Sequence, residues 1–297
     1  MSEGEEGIAL KPAKLGFLPR SKPIKIIAIS AGKGGVGKSY VAVNLAVALA
    51  QRNKNVLLLD ADLSLANVDI MLGIETKFNL SHVVQGLCQL KDIMLEGPGG
   101  IRIIPAASGA ETMTQLSSAQ HAGIINAFNE LTEDVDYMII DTAAGISDTV
   151  LSFARSSQEL IVMACDEPTS ITDAYALINI MSRRYEWSHF HILANMIRSS
   201  REGRELFSKL NRMTEHFLDV RLDYLGAIPF DECVHEAIKQ QKPVLLAYPE
   251  SNASKSLLQI ADTVDDWPYK QSLGGNTSFF LERLVSGNFG IHENKNN

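Results

Sequence analysis

A run of glycines that ends in a lysine and a serine gives this chain its clearest chemical signature. Residues 32–39 read Gly-Lys-Gly-Gly-Val-Gly-Lys-Ser and match the pattern G-x-x-x-x-G-K-[ST]. Glycines let the backbone curl so that several N–H groups point at phosphate oxygens. Lys38 can place its charge on the β- and γ-phosphates, and the Ser39 hydroxyl can ligate Mg²⁺. The predicted nucleotide-binding residues of this loop are Gly32, Lys33, Gly34, Gly35, Val36, Gly37, Lys38, Ser39 and Tyr40.

The same glycines also fit G-x-G-x-x-G, a pattern typical of dinucleotide-binding folds. Gly32, Gly34 and Gly37 supply it, and Asp60 ends the next predicted strand. A phosphate loop requires the lysine and the serine directly after the last glycine, whereas a dinucleotide fold does not. A second strand-end acid, Asp141, suits a Mg²⁺-dependent nucleotidase better than a dehydrogenase. We therefore favour a phosphate loop over a dinucleotide site and over a glycine-rich turn without a ligand.

Three carboxylates follow predicted strands and can serve a metal ion or an attacking water. Asp60 ends one strand, Asp62 lies two residues further on, and Asp141 ends a later strand. Because the carboxyl ends of parallel strands line the ligand crevice, we expect these side chains to face the phosphate loop. The predicted metal-binding residues are Ser39, Asp60 and Asp141. Asp62 can orient a water, cap a helix that begins near Ser64, or do both.

Short apolar runs alternate with longer helical patterns from residue 24 onward, and these elements must position the site. The predicted strands are Ile24–Ser30, Val56–Leu59, Ile101–Ile104, Tyr137–Ile140, Leu160–Ala164, His191–Ala194 and Leu222–Ile228. The predicted helices are Tyr40–Arg52, Ser117–Leu131, Ser147–Ser156, Thr169–Tyr185, Arg201–Phe217 and Asp231–Gln240. Runs that are apolar on both faces suit strands in the centre of a parallel sheet. The alternation predicts an α/β fold, a doubly wound and mostly parallel sheet with helices on both faces, in a single P-loop NTPase domain.

The polar and proline-containing segments at the two ends predict the domain boundaries. Residues 1–23 read as a flexible N-terminal tail, 24–268 as the P-loop ATPase domain and 269–277 as a linker. Residues 278–297 read as a C-terminal amphipathic helix and tail, with an apolar stripe within Phe279–Val285. This stripe either packs on its own domain or makes a reversible membrane contact, and a polar face without excess basic charge weakens the second interpretation.

Composition and charge exclude several classes of protein. The net charge of −8 over 297 residues makes a nucleic-acid partner improbable, because phosphate contacts require a basic surface. The three cysteines show no C-x-x-C spacing, which argues against a disulfide framework or a zinc site. The acidic start, MSEGEEG, is unlike a signal peptide, so a cytoplasmic location is expected. The seven histidines show no metal-binding spacing and indicate surface or packing roles.

An extra lysine in the loop, Lys33, makes it resemble the deviant Walker A loop of the MinD/ParA family of ATPases. Asp-Ala-Asp at 60–62 and Asp-Thr-Ala-Ala-Gly at 141–145 resemble the two switch regions of that family. Three longer segments are similar to the flagellar number regulators of the FleN/FlhG type: Asp60–Leu72, Gly97–Gly109 and Cys165–Leu177. The resemblance covers about residues 24–286.

The resemblance implies an ATP-dependent homodimer that binds ATP or ADP with Mg²⁺. In such a dimer Lys33 reaches the phosphates of the partner, Asp62 orients the attacking water, and Lys38 completes the catalytic set. Polar residues within Pro168–Asp173 lie at the dimer interface. The residues that frame the adenine are Asn195, Pro229, Phe230 and Asp231. Adenine is also favoured over guanine because no N/T-K-x-D segment with its aspartate occurs in the chain.

The function that the resemblance implies is a slow, dimer-gated ATPase switch that regulates flagellar number and biosynthesis. Its expected partners are a flagellar GTPase of the signal-recognition type and a flagellar transcription regulator. A peripheral contact at the inner face of the cell membrane is expected if Phe279–Val285 binds lipid. Residues 1–23 lack the D-Q-A core with which some relatives activate the GTPase. The alternatives are another positioning ATPase of the MinD/ParA type, an ATP-dependent ligase or kinase, or a dehydrogenase.

Overall fold

The computed structural model describes residues 24–62, 68–79, 82–83, 85–105, 128 and 134–268. The predicted N-terminal tail, the linker, the C-terminal amphipathic helix and Ser64 lie outside these residues. The predicted helix Ser117–Leu131 also lies outside them except at Phe128. The architecture below concerns only the described part of the chain.

A single sheet of eight strands forms the centre of the fold, in the order β3-β4-β2-β5-β1-β6-β7-β8. The strands are β1 (Lys25–Ala31), β2 (Val56–Ala61), β3 (Leu95–Glu96), β4 (Arg102–Ile104), β5 (Tyr137–Ala144), β6 (Glu159–Ala164), β7 (His189–Ile197) and β8 (Arg221–Pro229). Neighbouring strands pair in parallel except for the short edge pair β3–β4. Strand β5 lies between β1 and β2, so the ends of these three strands come together at the centre of the sheet.

Helices cover both faces of this sheet. They are α1 (Lys38–Ala50), α2 (Val68–Leu72), α3 (Leu90–Ile93), α4 (Asp148–Ser156), α5 (Pro168–Tyr185), α6 (Ser200–Phe217), α7 (Glu232–Lys239), α8 (Val244–Ala247) and α9 (Asn252–Asp265). A 3₁₀ turn, Pro98–Gly100, precedes β4. Within the described residues, none of the helices combines the length and the apolar character that crossing a membrane requires.

Alternating side chains of the strands divide the core into two layers. Ile26 and Ala28 of β1 pack with the apolar faces of α4, α5 and α6. Ile27 and Ile29 of the same strand pack on the other side, against α1 and α9. The prediction of a doubly wound α/β fold is therefore confirmed. The structure adds α8 and α9 after the last predicted helix, although α9 carries an amphipathic pattern that sequence reasoning passed over.

Lys25 is a buried lysine that joins the first strand to the end of the last described helix. Its Nζ atom donates hydrogen bonds to the carbonyl oxygens of Val264 at 3.2 Å, Asp265 at 3.3 Å and Trp267 at 2.7 Å. A cation is favourable there because the last carbonyls of a helix carry partial negative charge. Burial lowers the pKa of Lys25. From the sequence Lys25 merely interrupts an apolar strand, whereas in the fold it anchors α9.

Replacing Lys25 by methionine is expected to lower the free energy of unfolding by about 2 kcal/mol, because hydrogen bonds from a charged group contribute about 1.5–3 kcal/mol. The matched control is Lys54→Met, which removes a partly exposed ion pair with Asp265 at 2.9 Å. That change is expected to cost at most about 1 kcal/mol. Urea unfolding of both variants measures the difference, and equal losses would contradict the anchoring role of Lys25.

Candidate nucleotide site

The loop between β1 and α1 presents an uncapped helix N-terminus. Gly35 and Gly37 adopt φ values of 81° and 82°, a region that residues with a side chain rarely enter. Gly37 is the N-cap of α1, and as a glycine it offers no side chain that could accept a hydrogen bond from the first turn. The first N–H groups of α1 are therefore available to an anion, which the helix dipole also favours.

Two of the loop glycines are required by close contacts rather than by a ligand. A Cβ atom on Gly32 would lie 2.1 Å from the carbonyl oxygen of Asp173 in α5. A Cβ atom on Gly37 would lie 2.7 Å from Nδ2 of Asn195 in β7. The loop is thus held by contacts with two elements, and α5 and β7 set its position.

Lys38 and Asp141 form a buried ion pair in the middle of the site. Their Nζ and Oδ1 atoms are 2.7 Å apart, and the side chains are 7% and 0% exposed. The second oxygen of Asp141, Oδ2, is buried and has no hydrogen-bond partner among the described residues. Burial raises the pKa of Asp141, although the Lys38 charge and the Ser39 hydroxyl both favour its ionised form. Oδ2 of Asp141 can therefore still ligate a bound cation or accept a hydrogen bond from one of its waters.

The acids at the end of β2 lie next to Asp141 but have different surroundings. Asp60 pairs with Asp141 in the register of β2 and β5. Its carboxylate accepts hydrogen bonds from the backbone N–H groups of Asp62 at 3.0 Å and Val68 at 3.3 Å. Asp60 therefore also holds the first turn of α2, a contribution that the sequence did not indicate. Asp62 is 9% exposed and borders the cleft in front of the loop.

Lys33 contacts the start of α5 within its own chain. Its Nζ atom lies 2.6 Å from Oε2 of Glu167 and 3.2 Å from Oγ1 of Thr169. The hydrogen bond from Lys33 to Glu167 raises the pKa of Lys33. Sequence reasoning missed Glu167 and Thr169 as partners of Lys33, since they lie far along the chain. The only local signal was an acid directly before Pro168.

A cleft of about 790 Å³ lies in front of the phosphate loop. A second, apolar pocket of about 300 Å³ adjoins it, and the two share Gly37, Tyr40 and Ile238. Volumes of this size are typical of small-molecule sites. The loop residues Lys33 to Tyr40 border the cleft, and all four residues predicted to frame the adenine border the pocket: Asn195, Pro229, Phe230 and Asp231. Gly32, Asp60 and Asp141 border neither and lie behind the site.

The residues around the pocket also have structural contacts. Nδ2 of Asn195 donates a hydrogen bond to the Val36 carbonyl oxygen at 2.8 Å, so Asn195 braces the phosphate loop. The Asp231 carboxylate accepts hydrogen bonds from the N–H groups of Cys233 and Ala253, which caps α7 and ties it to α9. Met196, in the left-handed region at φ 57°, completes the pocket wall, and no sequence signal singled it out.

Comparison with known proteins gives consistent similarities over this region. A protein-family model described as ParA, NUBPL iron-transfer P-loop NTPase, matches residues 23–265. The chain is 52% identical over 263 residues to the antiactivator FleN of Pseudomonas aeruginosa, covering 89% of this chain and 94% of that protein. It is 34% identical over 246 residues to the flagellum site-determining protein YlxH of Helicobacter pylori, covering 82% and 83% of the two chains.

A solved structure with a similar fold is the septum site-determining protein MinD from Pyrococcus horikoshii, complexed with Mg-ADP. It superposes with a TM-score of 0.64 at 26% identity, covering 82% of this chain and 96% of that one.

Replacing Gly32 by alanine is expected to lower the free energy of unfolding by about 2 kcal/mol, since overpacking typically costs about 1–3 kcal/mol. The matched control in the same loop is Gly34→Ala, whose Cβ would lie 3.8 Å from its nearest neighbour, the Cβ atom of Ala144. That variant should unfold within about 0.5 kcal/mol of the wild type. Urea unfolding compares the two. Equal stability of both variants would show that α5 does not constrain Gly32.

Proposed function

The chain belongs to the ParA/MinD family of P-loop NTPases, and on that basis we propose that it is a dimer-gated, Mg²⁺-dependent ATPase switch that regulates flagellar number and biosynthesis. The observation that carries the ATPase part is the buried Lys38–Asp141 pair behind an uncapped helix N-terminus and an open cleft. The flagellar part rests on the 52% identity to FleN over most of the chain.

Triphosphate binding would begin with an exchange of partners at Lys38. The β- and γ-phosphates offer Lys38 more negative charge than the single carboxylate of Asp141, and the loop N–H groups add further donors. Lys38 would leave Asp141 for the phosphates. The base would occupy the adjoining pocket, where the exposed ring of Phe230 and the Pro229 ring provide apolar surface.

The residues around Asp141 fit a magnesium ion. Mg²⁺ prefers oxygen ligands and retains several waters, and the buried Oδ2 of Asp141 lacks a partner among the described residues. Ser39, Asp60 and Asp141 would hold the ion directly or through its waters. When bound, the ion would neutralise charge that develops on the phosphates. The charge of the ion would replace that of Lys38 in keeping the buried Asp141 carboxylate ionised.

Hydrolysis would need a water aligned with the γ-phosphate. Asp62 borders the cleft and is nearly buried, so it can accept a hydrogen bond from such a water and orient it. Phosphoryl transfer to water requires little covalent participation by the protein, and positioned charge accounts for most of the acceleration. The products would be ADP and phosphate.

Dimer formation would complete the site. Two triphosphates that face each other across an interface repel, and Lys33 is the proposed neutralising group. To reach the phosphates of a second copy, Lys33 would leave Glu167, which is a partly exposed and therefore weak partner. Binding of ATP would then favour the dimer, and hydrolysis of ATP would favour the return to monomers.

The proposed cellular role is regulatory, and the protein would act in the cytoplasm. Its proposed partners are a flagellar GTPase of the signal-recognition type and a flagellar transcription regulator, and no direct nucleic-acid contact is expected. A reversible membrane contact through Phe279–Val285 stays a prediction on residues outside those the structure describes.

Asp62→Ala is expected to bind ATP with unchanged affinity, to lose ATP hydrolysis and to accumulate as an ATP-bound dimer. The reason is that Asp62 is assigned to the water rather than to the nucleotide. Calorimetry, phosphate release without any added acceptor, and light scattering measure the three properties. Full hydrolysis by this variant would remove Asp62 from the mechanism.

Two further variants serve as controls in the same assays. Lys38→Ala should lose ATP binding, since it removes the principal charge on the phosphates. Lys33→Ala should bind ATP but stay monomeric. Phosphate release by the wild type only when a small-molecule acceptor is added would favour a ligase or a kinase instead.

Deleting the gene should change the number of flagella per cell, counted by electron microscopy. The wild-type gene should restore the normal number, whereas the Lys38→Ala gene should not, because the switch would no longer bind nucleotide. Normal counts in the deletion strain would reject the flagellar role and leave the ATPase proposal intact.

A further inference from the structure

A second polar cluster lies at the opposite end of the strands from the phosphate loop, where the strands begin. Glu159 is the first residue of β6, and His189 and His191 lie near the start of β7. The register pairs Ile161 with His191, so Glu159 lies level with His189 on the neighbouring strand. His189 and His191 are two residues apart and therefore project from the same face of β7.

The three side chains are close enough to share one ion. One ligand atom from each of Glu159, His189 and His191 lies within 4.8 Å of the other two. Nε2 of His191 is 3.1 Å from Oε2 of Glu159, and both side chains are 6% exposed. The side chain of His189 is 29% exposed, which leaves an access route. Metal–ligand bonds of about 2.0–2.2 Å bring the ligands of one ion within about 4 Å of each other, so small side-chain rotations would suffice.

Neighbouring residues hold the two imidazoles in place. Nε2 of His189 lies 2.8 Å from Oδ2 of Asp223 in β8, and the Arg221 Nε atom donates to Oδ1 of the same carboxylate at 2.9 Å. A carboxylate on one ring nitrogen fixes the tautomer and makes the other nitrogen the better metal donor. The Trp267 ring stacks on His191, with ring centroids 3.9 Å apart, and limits its rotation.

We propose that Glu159, His189 and His191 form a binding site for a divalent transition-metal ion of the zinc class, with Asp223 as the residue that orients His189. Two imidazoles and one carboxylate suit Zn²⁺ and similar ions, whereas Mg²⁺ prefers oxygen ligands alone. The sequence indicates only surface or packing roles for the histidines. The proposal departs from that interpretation for His189 and His191, because their two-residue spacing on a strand places both rings on one face of β7.

The site is separate from the proposed nucleotide site. The phosphate loop follows the carboxyl end of β1, while the histidines lie at the amino end of β7, and Asn195 of the same strand contacts the loop at the other end. A metal ion would cross-link β6 and β7 and stabilise the folded chain. It should leave ATP affinity nearly unchanged.

The test uses the full-length protein after treatment with a chelator and removal of the chelator. Calorimetry with Zn²⁺ should give one ion per chain, and Mg²⁺ should not compete. At a free Zn²⁺ concentration a hundredfold above Kd, the melting temperature should rise by about 6 °C. Co²⁺ should give visible absorption without the charge-transfer band of a thiolate ligand, because the proposed ligands are nitrogen and oxygen.

Variants identify the residues that bind. His189→Gln is the primary change, because His189 is the most exposed ligand and its loss disturbs packing least. It should weaken Zn²⁺ binding about a hundredfold, and Asp223→Asn about tenfold. The matched control is His216→Gln on the exposed face of α6, which should bind Zn²⁺ as the wild type does. Circular dichroism confirms that each variant is folded.

Three outcomes would overturn the proposal. The first is the absence of stoichiometric Zn²⁺ binding by the wild type, which would leave the cluster as hydrogen-bonded packing. The second is an unchanged affinity of the folded His189→Gln variant for Zn²⁺. The third is a thiolate charge-transfer band with Co²⁺. Either of these two results would place the ion elsewhere. Because the first and third use only the wild type, the proposal does not depend on how the variants fold.

Discussion

The buried pair of Lys38 and Asp141 is the constraint on which the rest of the site depends. Two charges taken out of water are tolerated only when each satisfies the other or a ligand replaces one of them. This requires that the start of α1 and the end of β5 meet, and the pairing of β5 with β1 brings them together. The same pairing sets Asp60 of β2 beside Asp141. Burial makes this pair energetically costly, and Oδ2 of Asp141 has no hydrogen-bond partner among the described residues. The pair is therefore well suited to separate when a phosphate binds Lys38 and a cation binds Asp141.

The phosphate loop is held in place by contacts with two neighbouring elements. Gly32 packs against the backbone of Asp173 in α5, and Asn195 of β7 donates to the carbonyl oxygen of Val36. A loop that is fixed by two neighbouring elements loses little conformational freedom on binding, and less of the interaction energy is spent on ordering it. The glycines therefore serve two purposes, since they admit the positive φ angles and the close approach of neighbouring elements.

The carboxyl ends and the amino ends of the strands carry polar residues with different surroundings. At the carboxyl ends, the phosphate loop and Asp62 border the cleft, which adjoins the apolar pocket, while Asp60 and Asp141 lie behind the site. At the amino ends, Lys25 anchors the last turn of α9, while Trp267 covers His191. Strand β7 connects the two regions, with His189 and His191 near its amino end and Asn195 near its carboxyl end. The sheet thus separates Lys38, which we propose exchanges Asp141 for phosphates, from Lys25 and His191, whose positions are set by hydrogen bonds and packing.

Local patterns in the sequence determined the phosphate loop, most strand and helix positions and the α/β class, because periodicity and glycine spacing act over a few residues. The amphipathic pattern of α9 is equally local, so this helix could have been predicted from the sequence. What only the tertiary structure decided was which distant residues meet. Examples are the contacts of Glu167 with Lys33, of Glu159 with His191, and of the Val68 N–H group with Asp60. Those follow from how the whole chain packs, and no short stretch of residues specifies them.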